Sequence, residues 1–228
     1  DDNARLGILP TATIAVNPRA LQVADSLDRE RAAGRVRGPL HGIPVALKDN
    51  IHTTDMPTTG GALAFAGLVP PYEATVTRRL REAGAVIVAK TQMTELANWV
   101  TVGMPPNYNS LTGYGFNPYE PRRDPRGATR DGRPALPTGG SSSGIGTAVS
   151  FWAANVGTET SGSILSPSNQ TMLVGIKPTV GRISRYGIIP ITADQDHEGP
   201  MARSVADCAL MLGAMERAAP DPNDPATR

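Results

Sequence analysis

Residues 139–163 read GGSSSGIGTAVSFWAANVGTETSGS: two clusters of glycine and hydroxyl side chains, at 139–144 and 161–163, joined by an apolar run. Serines among glycines can form a solvated linker, but Val149, Phe151, Trp152, Ala153, Ala154 and Val156 are too apolar for one. The run reads as a helix-like piece followed by a short strand. Glycines flanking hydroxyls inside a core-forming segment suggest backbone brought close to a bound group, with N–H groups pointing at it.

Upstream, Ile43, Val45 and Leu47 alternate with smaller residues as a short strand does, and Lys48 stands at its end. The lysine is either a snorkelling surface residue or an ammonium oriented by the adjacent Asp49-Asn50. A helix is predicted over 74–83, closed by Gly84, and Ala85–Lys90 is a continuous apolar run that suits a strand buried on both faces. Thr91 is expected to cap a further helix through Met93, Leu96 and Trp99. This strand–helix–strand rhythm predicts an α/β fold. Asn17-Pro18 reads as the start of an earlier helix that ends at Gly34. Residues 53–72 read as loop, and 101–138, rich in Pro, Gly, Asn and Arg, as a long irregular connection expected to contact substrate. Downstream, 173–177 and 188–191 read as short strands, Ser204 as the cap of a last helix with Cys208 in its core face, and 220–228 as a linker-like tail.

Composition narrows the function. The 228 residues carry a net charge of +1, and aromatics make up 4%; neither favours nucleic acid or an anionic membrane as partner. One cysteine excludes an internal disulfide, and His41, His52 and His197 lack metal-ligand spacing. No apolar run reaches membrane-spanning length.

Several motifs match in part. Gly140-Ser141-Ser142-Ser143-Gly144 satisfies the G-x-S-x-G elbow, with Ser142 as nucleophile and Asp194 and His197 in the right order, but no buried strand precedes it. Val45-Ala46-Leu47-Lys48 is close to a kinase lysine motif, yet the Gly-rich loop and the other kinase motifs are missing. GGSSSGIG lacks the Lys-Ser/Thr of a phosphate-binding loop.

Taken together, GIPVALKDN (42–50), GAVIVAKTQMTELAN (84–98), GGSSSG (139–144), GTETSGS (157–163), GIKPT (175–179), GRISRYGIIPI (181–191) and GPMARSVADCA (199–209) resemble the amidase signature family. The resemblance implies an α/β fold, a mixed β-sheet flanked by helices, and hydrolysis of a carboxamide C–N bond through an acyl-serine. It implies Ser163 as nucleophile, Ser141 as a bridging serine in a cis peptide and Lys48 as base. The backbone N–H groups of Thr160, Ser161, Gly162 and Ser163 would form the oxyanion hole, with Asp49 and Ser142 behind them. For Ser142 and Ser143, helix capping is an equal reading. The chemistry is coherent: a serine hydroxyl needs a base, and lysine serves only when burial makes it neutral. No metal or cofactor is implied.

By this resemblance the partner is a small-molecule amide, in a cytoplasmic protein whose start reads as trimmed; there is room for a homodimer, and no nucleic acid or membrane is involved. The phrasing is most like stand-alone aryl- and peptide-amide amidases. An A-type subunit of glutamyl-tRNA amidotransferase and a non-catalytic truncated domain are the alternatives. The chain departs from the pattern in places. The interval from Ser141 to Ser163 is about two residues short, which leaves Ser142 a rival for the bridging role. Ser161 replaces Gly or Asp, and His197-Glu198 replaces Thr and a small residue. Residues 1–228 are expected to be the N-terminal part of one such domain, its sheet incomplete, with an open edge and an uncovered apolar face.

Overall fold

The computed structural model describes residues 11–126, 131–216 and 219–227. In chain order the elements are β1 (Thr13–Val16), α1 (Ala20–Ala32), β2 (Pro44–Lys48), α2 (Thr75–Glu82), β3 (Val86–Thr91), the two-residue strands β4 (Tyr108–Asn109) and β5 (Gly113–Tyr114), and α3 (Ile145–Ala148). Then come β6 (Ala154–Glu159), α4 (Leu165–Gln170), β7 (Val174–Gly175), β8 (His197–Ala202) and α5 (Val205–Met215). Six strands form one sheet in the order β1-β3-β2-β6-β8-β7. The central three, β3, β2 and β6, are parallel; β1, β8 and β7 run antiparallel to their neighbours.

Alternation along β2 explains why it lies in the middle. Val45 and Leu47 pack on one face with Ile87, Val156, α2's Val76 and Leu80, and α5's Cys208 and Met211. Ala46 packs on the other face with Ala12, Ala89, Ile145 and Trp152. Side chains of this size contribute about 1.5–3 kcal/mol each when fully buried, the alanines less. Cys208 is thus a core residue, as its place on the helix predicts. Ser204 caps α5 by accepting a hydrogen bond from the Asp207 N–H.

Several local expectations give way. The helix over 91–99 does not form: Leu96, Ala97 and Asn98 take positive φ, of 43°, 56° and 68°. Tertiary bonds override the helical pattern, because Thr94 N–H donates to Ser141 O and Leu96 N–H to Gly60 O. Residues 188–191 contribute only a single bridge, Ile188 to Ile51. The N-cap position of α1 is Arg19, which makes no side-chain cap, and not Asn17; the Asn17 amide donates to Ile87 O and Asp55, while its Oδ1 accepts from Arg19 N–H just ahead of the helix. The tail docks instead of trailing: Asp221 accepts from Thr75 and Ser184, and Asp224 pairs with Arg185. The sheet's edge strands, β1 and β7, are short. Some of the exposed apolar side chains, including Leu63, Leu68, Trp99 and Val102, lie in the loops at 63–72 and 99–102; others, among them Val16, Leu21, Met172 and Val205, are scattered over the surface. Among the described residues, no helix is long and apolar enough to cross a membrane.

Candidate active site

The three parallel strands end on the same side of the sheet, where open α/β sheets bind their ligands. Lys48 is the last residue of β2, and Glu159 the last of β6, leading straight into 160–163. The glycine-serine turn at 139–144 arrives from the other direction and enters α3. Gly139 and Gly140 have φ of 66° and 46°. A Cβ on Gly140 would stand 2.8 Å from both Gly162 O and Ser163 Cα. Only glycine lets the two serine clusters touch.

Their contact is a chain of polar atoms. Lys48 Nζ lies 2.7 Å from Ser141 Oγ, and Ser141 Oγ lies 3.0 Å from Ser163 Oγ. Lys48 also donates to Thr158 O at 3.2 Å and Thr158 Oγ1 at 2.9 Å. Its side chain is fully buried. Burial pulls the Lys48 ammonium down to about 7, against the opposing attraction of Asp196 and Glu159. Ser142 turns the other way: its Oγ donates to Thr158 O and accepts from Thr158 N–H. It is Ser141 that stands between lysine and Ser163. The elbow arrangement does not assemble, since Ser142 is held by β6 backbone and His197 lies in β8 opposite Glu159.

Two residues with no role assigned from sequence hold this geometry. Thr158 carries Lys48, and its hydroxyl also accepts from Asn50 Nδ2 at 3.0 Å. Glu159, buried beneath the turn, accepts the N–H groups of Gly162 at 2.8 Å, Ile164 at 2.6 Å and Leu165 at 2.8 Å. This corrects the expectation for Gly162: its N–H is taken by a carboxylate and does not face the site. The N–H groups of Ser161 and Ser163 have no acceptor among the described residues. The signal for both was their place in GTETSGS, which holds Thr158 and Glu159 side by side; nothing in it said that Thr158 meets Lys48.

The cis peptide expected at Ser141 is absent, and no cis bond occurs among the described residues. The left-handed turn at Gly139 and Gly140 aims the hydroxyl through trans bonds.

Asp49 faces away from Lys48. It accepts from Thr59 N–H, from the Thr59 hydroxyl and from Gly61 N–H, and lies 3.5 Å from Lys90 Nζ. Burial pulls Lys90 down to about 8 and pushes Asp49 up. Asp49 thus anchors the loop after β2.

A cavity of about 450 Å³ opens over Ser141, Thr158 and Ser163, walled by 185–193 together with Asp196, Glu198 and Asp224. None of the described residues of 101–138 lines it, so the expectation of a substrate-contacting loop finds no support among them. That loop braces the site from behind, with Asn107 Nδ2 donating to Ser142 O at 3.2 Å and Asn117 Nδ2 to Gln170 O at 2.8 Å.

A mixed sheet with a serine-rich turn and a buried lysine at its carboxyl end defines a class already suggested by the motifs. The family model for amidases matches residues 10–227, and the chain belongs to that family. It is 40% identical to a putative amidase of Arthroderma benhamiae, over 93% of this chain and 34% of that protein. It is 42% identical to the A-type subunit of glutamyl-tRNA(Gln) amidotransferase from Rhodopirellula baltica, over 90% of this chain and 38% of that protein. The solved native peptide amidase of Stenotrophomonas maltophilia superposes with a TM-score of 0.84 at 45% identity, covering 95% of this chain and 42% of the other. The chain therefore spans between a third and somewhat over two fifths of the relatives it matches.

Proposed function

We propose that this chain carries the catalytic serine, relay and base of an amidase that cleaves a carboxamide C–N bond through an acyl-serine. The observation that carries this reading is the continuous Ser163–Ser141–Lys48 chain, with steps of 3.0 and 2.7 Å. A neutral amine has two N–H donors and one lone pair. Thr158 offers the two acceptors, O and Oγ1, which leaves the lone pair for Ser141.

As Ser163 Oγ attacks the carbonyl carbon, its proton passes to Ser141 Oγ, and the Ser141 proton passes to Lys48 Nζ. The C=O π pair moves onto oxygen, and that oxyanion is received by the N–H groups of Ser161 and Ser163, with Thr160 beside them. Collapse expels the amine, which takes a proton back along the same path. Water then attacks the acyl-serine under the same base and releases the carboxylic acid. Each hole donor contributes on the order of 10²–10³ in rate.

The stand-alone amidase reading is supported over an amidotransferase component by the likeness to peptide amidase. The solved A-type amidotransferase subunit of Thermotoga maritima superposes with a TM-score of 0.66 at 29% identity. A fluorophosphonate label mapped by mass spectrometry tests the site. Label is expected on Ser163, weak in Lys48→Ala and absent in Ser163→Ala. Label on Ser142, or none at all, would overturn this assignment.

A further inference from the structure

Strand β8 places Glu198 directly opposite Thr158 of β6, and opposed residues in an antiparallel pair share one face of the sheet. Glu198 therefore stands beside the residue that holds Lys48, and it lines the same cavity as Ser141 and Ser163. Its side chain is buried, and Oε2 has no hydrogen-bond partner among the described residues. Leaving a buried polar atom unpaired is costly, and a ligand donor would recover that cost.

The other charged groups among the described residues of the cavity wall are Arg185, Asp196 and Asp224; Lys48 ends β2, on the far side of β6. Arg185 is spent on Asp224: Nε lies 3.1 Å from Oδ2 and Nη2 lies 2.8 Å from Oδ1. Asp196 accepts from the Thr160 hydroxyl at 2.5 Å and from the N–H groups of Ile191 and Thr192 at 2.6 and 3.0 Å. Arg185 is therefore the one cation on the described wall, and its hydrogen bonds go to Asp224 and not to Glu198. With Lys48 neutral, the wall carries more acid than base.

We propose that Glu198 is a specificity-determining residue that selects amides bearing a protonated amine a few bonds from the scissile carbonyl, its carboxylate accepting a hydrogen bond from that ammonium. The proposal rests on the amide-cleaving reading of the cavity and names its substrate class. Burial pushes the Glu198 carboxyl up to about 8, Arg185 pulling it down and Asp224 and Asp196 pushing it further up. A bound ammonium favours the ionised form, so the preference for cations strengthens as pH rises through that value.

Three amides of similar length test it by calorimetry on the 228-residue Ser163→Ala chain, which binds without turnover: cationic 6-aminohexanamide, neutral hexanamide and the anionic monoamide of adipic acid. The cation is expected to bind about tenfold tighter than the neutral amide, and the anion weakest. Adding Glu198→Gln is expected to bring cation and neutral within about twofold, while Glu198→Asp keeps the order. A cation preference that survives Glu198→Gln, a wild-type site that does not favour the cation, or no binding of any amide overturns the proposal. Charge preference without fluorophosphonate label on Ser163 would sink the hydrolytic reading alone; label without charge preference would sink the present one alone.

Discussion

A lysine can act as a base near neutral pH only if its ammonium is made unstable. Lys48 meets that need by position: it ends a strand whose Val45, Ala46 and Leu47 are buried against both faces of the sheet, so its amine is sealed from water and is pulled down to about 7. The sign of the pH dependence follows. In the proposed mechanism the neutral amine is the working form, so kcat/KM for a neutral amide is expected to fall about tenfold per pH unit below 7 and to level off above it. A profile flat from about pH 5 to 8 would remove Lys48 from the base role. Lys48→Arg sharpens the point, because a guanidinium cannot give up its proton. It should lose about 10²–10⁴ in rate as the general base is removed.

At the scale of elements, the site is two turns pressed together. Gly140 belongs to one, and Glu159 governs the other by collecting three backbone N–H groups on one carboxylate. Gly140→Ala would force a Cβ against Gly162 O and Ser163 Cα at a φ of 46°. We expect a cost of about 1–3 kcal/mol from the strained backbone, with the clash added, and loss of label on Ser163. Glu159→Gln keeps one acceptor but gives up the charge. It should cost about 2 kcal/mol in chemical denaturation and loosen the nucleophile turn before it unfolds the sheet. Unchanged stability and labelling in that variant would mean that the carboxylate is dispensable.

Across the molecule, two adjacent parallel strands deliver the site to one edge, β2 with Lys48 and β6 with Thr158 and the turn at 160–163, and the tail closes part of the cavity wall. Asp224 reaches Arg185 with two oxygens and lines the cavity with it. Asp224→Ala leaves a largely buried guanidinium unpaired, at a cost of about 2 kcal/mol or more. Protease resistance of the segment after α5 should fall with it. Retained resistance would show that Asp221, through Thr75 and Ser184, holds the tail by itself.

The α/β rhythm, the strand ending in Lys48, the buried run at 85–90, the capped last helix and the two serine clusters were all legible in the chain, because each is written in local periodicity, caps and glycine placement. So were Lys48, Ser141 and Ser163 as a set, through the order of the motifs. What sequence left open was which of two adjacent serines meets the lysine; only the turn's path, set by contact with residues 22 positions away, selects Ser141. The same holds for Thr158, which touches Lys48 across 110 residues. It holds also for the helical pattern at 91–99, pulled out of shape by Gly60 and Ser141, and for the tail, whose polar residues look like a linker until Arg185 and Ser184 receive them. Local propensity determined the elements. Long-range hydrogen bonds and burial, invisible to any window of neighbouring residues, decided which side chains face one another and what charge they carry.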